Sequence, residues 1–462
     1  MRLLSEAASA YRRALFVLTR DSTPQDWATT QHSLGYILQE QGVRANGPEA
    51  IRLISAGVAA YREALSVRTR EQLPLQWAMT QNDLGNALQA QGVRSEGSAA
   101  QRLLAEATTA YREALLVFSR EYVPQEWAKT QHNLGSALHE HGTRSEGSEG
   151  WKLLSEAVAA YRQALSVRTR EQMPRAWAIT QNSLGNALQA QGTKVEAPES
   201  LRLFGEALVA YREALLVFTK EQTPALWAMT EHNLGSALQE EGFFGEAVAA
   251  YREALLVWTL AQRPQQWAMA QNNLARTYYN LKEWTSAAEC YENVLAVYPE
   301  FRPAYERARF LQHEVLFNYQ RAFKLTESWL ERNPNDSLAA ANFAENHFTT
   351  GNFDECTRRM SVLSGAKNSI PLRVLDIANL IALNRSAEVP AKIKNLIEML
   401  QSQKPDFKVE WSFTGVKHFI SQNEQFAAKR AWLMQLIAVM DGAGRDAIVA
   451  QLKIVSDTFE TR

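Results

Sequence analysis

The chain has 462 residues, and its 49 lysines and arginines nearly balance 50 aspartates and glutamates, giving a formal charge of −1 at pH 7. That balance excludes the broad basic field behind non-specific nucleic-acid affinity, and two distant cysteines, Cys290 and Cys356, suit reduced packing residues of a cytoplasmic protein better than a disulfide framework. The start, Met1-Arg2-Leu3-Leu4-Ser5-Glu6, lacks an apolar leader, and the most apolar later stretch, Val374 to Leu383, contains Asp376 and Asn379, so neither an export signal nor a membrane span is expected.

The first element reads as a helix lacking its usual predecessor. Met1 to Ala7 aligns with Gln101 to Ala107, the opening of the second helix in a later repeat. Leu3, Ala7, Tyr11 and Ala14 then share an unpaired apolar stripe, which marks an interface. The expected occupants are another chain, a second copy in a homo-oligomer, or a segment of a longer protein.

From there a cassette of fifty residues recurs. Tyr-Arg-x-Ala-Leu begins at Tyr11, Tyr61, Tyr111, Tyr161 and Tyr211, then at Tyr251 after a step of forty; Trp-Ala-x-Thr-x-x-x-Leu-Gly begins at Trp27, Trp77, Trp127, Trp177 and Trp227, with a looser copy at Trp267. A fixed period of this size means stacked units stabilised by their neighbours. Within one cassette, Trp177, Thr180, Leu184 and Leu188 line one face of a helix that opens near Pro174 and stops near Gly192; we call it helix A. A polar loop, Thr193 to Ser200, leads to helix B, in which Leu203, Ala207, Tyr211, Ala214 and Val217 share a face. Gly185, in mid-helix, costs about 1 kcal/mol relative to alanine. Close approach of helix B through small residues such as Ala207 is the expected compensation.

A second period lies inside the first. Ser-Val-Arg-Thr-Arg at 66–70 and 166–170 alternates with Leu-Val-Phe at 116–118 and 216–218, and His32, His132 and His232 alternate with Asn82, Asn182 and Asn272. The unit that last duplicated is therefore a pair of cassettes.

Leucine before glycine on helix A, with tyrosine and alanine on helix B, resembles the tetratricopeptide repeat. The pattern is fullest in Asn273-Leu274-Ala275, Trp284, Ala287, Tyr291, Val294, Leu295 and Pro299, although Ala275 stands for the usual glycine. The longer cassettes are similar to the kinesin-light-chain type and to long bacterial repeat proteins of that family. The resemblance implies an all-α solenoid, a right-handed superhelix of antiparallel helix pairs. Its expected divisions are long repeats over 1–263, shorter degenerating repeats over 264–363, and a helical cap or small domain over 364–462.

In that last region Leu372 to Leu383, Ala391 to Leu400, Phe426 to Met440 and Asp446 to Ser456 read as helices, separated in places by Pro390, Pro405 and Gly442-Ala443-Gly444. Phe407 to Phe419 is ambiguous between strand and helix.

The tryptophan column shares the stripe of the core leucines and reads as packing. Histidines two repeats apart stand about 20 Å from one another, given axes 8 to 10 Å apart, so they share no metal. Helix A also carries a polar ladder: Asn82 and Asn86, His132 and Ser136, Asn182 and Asn186, His232 and Ser236, Asn272 and Arg276. In the family resembled these positions look into the concave groove. An asparagine amide, both donor and acceptor, suits gripping a peptide backbone, and with Arg276 as the one cation in the ladder a neutral or mixed peptide fits better than a clamped terminal carboxylate. A basic column, Arg44, Arg94, Arg144 and Lys194, reads as a solvated, compensated surface. No phosphate loop, nucleophile elbow or Cys-x-x-Cys pair occurs. The expected function is thus a non-catalytic scaffold that needs no cofactor or metal and binds a protein or peptide in its groove. The alternative is the sensor or adaptor part of a larger bacterial signalling or defence enzyme system.

Overall fold

Proline at the first helical turn opens every helix A of the long cassettes, where its missing N–H costs nothing. In the computed structural model, which describes residues 2–363, 369–404, 411–438 and 445–460, the chain is an all-α solenoid divided into two compact units, 1–257 and 258–462.

The first unit begins with the helix Arg2–Ala14 and continues as helix A/helix B pairs: Pro24–Arg44 with Gly47–Leu65, Pro74–Val93 with Gly97–Leu115, Pro124–Arg144 with Gly147–Leu165, Pro174–Gly192 with Glu199–Leu215, and Pro224–Glu240 with Phe244–Leu255. Each helix packs on the one before it and the one after it. In the cassette of Trp177, helix A ends at Gly192 as expected and the loop runs over 193–198; in the other long cassettes with a fifty-residue step most of the lengthening residues extend the helices. The connection between Arg44 and Gly47 is two residues, because Gly47 takes a left-handed φ of 61° and turns the chain at once. Ala197 stands at the equivalent position of the fourth pair, and there helix B starts only at Glu199.

The mid-helix glycines answer to tyrosine. A Cβ on Gly185 would lie 2.6 Å from the Tyr211 ring, and one on Gly85 2.7 Å from Tyr111. The nearest atoms are those of an aromatic ring laid across helix A; in the first pair the small residue of helix B is close as well, with Gly57 O 3.1 Å from the place of a Cβ on Gly35. The tryptophans pack across repeat boundaries as expected: Trp77 clusters with Ala114 and Phe118, and Trp127 packs against that cluster, as Trp227 does against the cluster of Trp177, Ala214 and Phe218.

In the second unit the pairs shorten to Pro264–Asn280 with Trp284–Val297, Arg302–Phe310 with Tyr319–Arg332, and Ser337–Thr349 with Phe353–Val362. The helix Arg302–Phe310 runs on as a π-turn, Leu311–Val315. Side-chain caps fix the later starts: Asn318 accepts from the Arg321 amide (3.3 Å) and Asp336 from the Ala339 amide (3.1 Å). Beyond lie Ile370–Ala382, Val389–Gln401, Thr414–Gln422, Arg430–Ala438 and Arg445–Glu460. One apolar cluster runs from Ala344, Phe348 and Cys356 of the last pair through Leu375, Ile393, Val416, Phe426, Leu433 and Leu452. Phe426 sits in a single 3-10 turn, so the helix expected from it starts at Arg430 instead. Met440, Pro405, Gly442-Ala443-Gly444 and 407–410 lie outside the described residues, while 414–419 of the ambiguous stretch is helical.

Candidate functional site

The N-terminal stripe is only partly covered. Leu3 is 73% exposed, and Ala7, Tyr11 and Ala14 are half-buried, whereas Tyr61, Tyr111 and Tyr211 are sealed between two helices A. Tyr11 still packs on the cluster of Ala8, Leu34 and Leu38.

The polar ladder of the first unit lies in the seam between repeats. Asn82 and Asn182 are buried. The Asn82 Oδ1 accepts from Thr130 (3.3 Å) and from Asn133 (3.2 Å), and Asn182 accepts from Asn233 (3.4 Å) with the Thr230 hydroxyl 3.1 Å away. The Oδ1 atoms of Asn86 and Asn186 accept from Tyr111 and Tyr211, both at 2.8 Å, and from the next repeat's asparagine. Ser136 and Ser236 accept from Gln89 and Gln189, also at 2.8 Å. His232 is buried with its ring tilted against Tyr251, centroids 5.5 Å apart. These groups hold one repeat to the next.

The alternating boundaries use a different chemistry. Thr80 spends its single proton on the Gln76 carbonyl (2.7 Å) and accepts from Arg68 (2.9 Å), so His32 donates to it from Nδ1 (3.3 Å). Thr180, Ala176, Arg168 and His132 repeat the arrangement. Where histidine gives way to asparagine, Phe118 and Phe218 fill the arginine position, both buried. The hundred-residue period is thus two boundary types in alternation. Burial, with the facing arginine, holds His32 and His132 down to a pKa of about 4. Below about pH 6.5 the unfolded chain therefore takes up protons that the fold refuses, and stability falls until about pH 4. That loss is expected to reach about 2 to 3 kcal/mol per histidine. In the double variant His32→Asn/His132→Asn the melting temperature should fall less steeply between pH 7 and 4.5 than in the wild type. An equal slope would remove these histidines as the cause.

The basic column also acts between repeats. Arg144 donates to the carbonyls of Gly92 (2.8 Å) and Val93 (3.1 Å), Arg94 to Val43 (3.2 Å), and Lys194 to Ser145 (2.9 Å). Each cation satisfies carbonyls at or just beyond the end of the preceding helix A, where the helix dipole is negative. Sequence reading took this column for a solvated surface because the acceptors are backbone atoms, which no side-chain pattern reports.

Open polar surface of the ladder type belongs to the second unit. Asn272, Arg276, Tyr279, Asn280, Tyr291 and Arg307 surround a cleft of about 380 Å³. A second cleft of about 440 Å³ shares Tyr279 and Arg307 with it and continues past Arg309, Leu338 and Asn342 to Trp411 and Ser412. Arg276 is exposed, and the Arg307 guanidinium stands 5.3 Å over the Tyr279 ring, which fixes its position. Sequence reading found Asn272 and Arg276 by their place in the ladder. It missed Arg307 and Trp411, which lie outside the register of the fifty-residue cassette.

Beneath the second cleft is a buried ionic network on the π-turn. His313 Nδ1 lies 2.8 Å from Glu314 Oε1, Arg309 donates to Glu345 (3.3 Å), and the ligand atoms of His313, Glu314 and Glu345 fall within 4.8 Å of one another. Glu314 also accepts from Ser412 Oγ and the Gly415 amide, both at 2.9 Å, and Glu345 from Trp411 Nε1 at 3.3 Å. Burial pushes the Glu345 carboxyl up, against the pull of His313 and Arg309. For Glu314 burial is outweighed by the His313 hydrogen bond and charge, the Gly415 amide and Arg309, so its carboxyl sits below the ordinary range. Every carboxylate oxygen already has a donor, and Arg309 faces both groups, which makes this a closed ion network instead of an open cation site. The sequence carried no signal for it, because the carboxylates lie on different helices.

No helix of the described residues is long and apolar enough to cross a membrane. Comparison with known proteins matches residues 228–300 to the tetratricopeptide repeat family model. No curated protein matches. Among solved structures, a tetratricopeptide repeat protein from Parabacteroides merdae is 16% identical, with a TM-score of 0.34 over 64% of this chain and 98% of that one. The C-terminal part of a TPR repeat-containing protein from Cytophaga hutchinsonii is 12% identical, with a TM-score of 0.41 over 63% and 98%. The assembly chaperone of RpL4 (Acl4) is 14% identical, with a TM-score of 0.41 over 64% and 99%. Residues 228–300 thus carry tetratricopeptide repeats, and helix pairs before and after them pack in the same neighbour-to-neighbour way.

Proposed function

We propose that this protein is a non-catalytic interaction scaffold that binds an acidic, extended peptide segment of a partner protein along the helix A face of its second unit. The observation that carries this reading is the pair of adjoining clefts that share Tyr279 and Arg307. Arg276 and Arg307 outnumber Glu306 along them, Arg309 being engaged by Glu314 and Glu345, so the charge that complements the surface is negative, which differs from the neutral or mixed ligand suggested by the ladder alone. Asn272 and Asn280 can pair with a peptide backbone beside those charges. The ladder of the first unit is taken up in holding repeat to repeat.

Fluorescence anisotropy with labelled acidic ten-residue peptides tests this. Arg276→Ala and Arg307→Ala are each expected to weaken binding about tenfold, more at low salt than at high salt, with the melting temperature nearly unchanged. Wild-type affinity in both variants would sink the reading.

A further inference from the structure

Within the longer cleft one wall does not come from a repeat. Trp411 and Ser412 stand between the last repeats and the helix Thr414–Gln422, yet they line the cleft opposite Phe310 and Leu338. Their position is determined by three polar contacts at the buried network: Trp411 Nε1 on Glu345, Ser412 Oγ on Glu314, and the Gly415 amide on Glu314. Tyr319 secures the same segment, donating to the Gly415 carbonyl at 2.9 Å. Gly415 admits no side chain, since a Cβ there would lie 2.5 Å from the His313 carbonyl oxygen. Such a network costs desolvation energy and stabilises little for its own sake. What it does fix is where an indole ring stands.

The cleft pairs apolar faces from Tyr279, Phe310, Leu338 and Trp411 with the guanidinium groups of Arg307 and Arg309. Leu338 is 44% exposed there. A volume of about 440 Å³ accepts one large side chain with the backbone around it.

We propose that Trp411 is the specificity-determining residue of this surface, selecting acidic peptides that carry a large apolar anchor next to an acidic residue, with Glu314 and Glu345 as its positioning residues. The anchor lies against the indole and Leu338 while the neighbouring carboxylate meets Arg307. This inference rests on the peptide-binding reading above and adds a selectivity to it.

The two are separated with an array of acidic ten-residue peptides bearing Leu, Phe or Trp at one fixed position, each matched to a peptide with Ala there. The wild type is expected to prefer anchored peptides by about tenfold. Trp411→Ala should abolish that preference, weakening the anchored peptides about tenfold more than the Ala-bearing ones, and Trp411→Phe, which keeps an aromatic face, should retain most of it and serves if the alanine variant unfolds. Arg307→Ala should weaken both peptide sets alike and leave the preference in place. A wild type that binds acidic peptides with no preference, or a preference that survives Trp411→Ala, overturns the role of Trp411 and leaves the groove standing. A wild type that binds none of the peptides overturns both.

Discussion

Gly85→Ala is expected to destabilise the wild-type protein by about 1 to 2 kcal/mol, yet to stabilise a Tyr111→Ala variant by about 1 kcal/mol. The reversal follows from the ring that lies over the glycine. Alanine is the better helix former, so in an isolated helix the change is favourable. In the fold, the new Cβ meets the Tyr111 ring at 2.7 Å. The ring cannot yield, because Tyr111 is fully buried and its hydroxyl is tied to Asn86 (2.8 Å) and Gln89 (3.1 Å). Tyr111→Ala alone is expected to cost about 3 to 5 kcal/mol, as for other large-to-small changes in a packed core, and it empties the space the Cβ needs. Urea unfolding of the four members of this cycle measures the coupling. Additive effects would show that the glycine is there for some reason other than the tyrosine.

Arg309→Met is expected to be the most damaging single change in the second unit, at about 3 to 5 kcal/mol, because it takes from two buried carboxylates the guanidinium that faces both. Adding Glu345→Gln should recover at least half of that loss, since the amide oxygen still accepts from Trp411 and the unpaired charge is gone. The deficit of the single variant should also shrink on acidification. Glu345 already has a raised carboxyl, and without the guanidinium its protonated form is favoured further. Stability present below the ordinary carboxylate range is then lost as pH rises through it. Circular-dichroism melts of both variants at pH 5 and pH 8 read this directly. A deficit that does not change with pH would mean that Arg309 acts by packing alone.

How far the sequence could be read depended on whether an interaction repeats. Trp177, Leu184, Tyr211 and Ala214 recur at a fixed period and on one helical face, so the helix pairs and their packing followed from spacing. Asn82 and Asn86 were legible as a ladder too, but spacing gives only the direction of a side chain on its own helix. It does not say that Thr130 and Asn133 arrive from the next repeat to occupy it. Gly185 was recognised as needing a reason, and the reason lay across a boundary in Tyr211. The clefts were half-visible through Asn272 and Arg276. Arg307 and Trp411 became meaningful only when three helices and a later segment met, and a contact that occurs once leaves no period to find.

The two boundary chemistries of the first unit also restrict how such an array can change length. Excising fifty residues after the first pair would set His32 against Thr130 with Phe118 in place of the Arg68 position, a combination of neither type. Excising a hundred would restore the original set, with Thr180 and Arg168 facing the same histidine. Array length in this protein therefore has a parity: insertions and deletions that keep both seams intact come in even numbers of units, and a gene drifting by single units would accumulate mismatched joints.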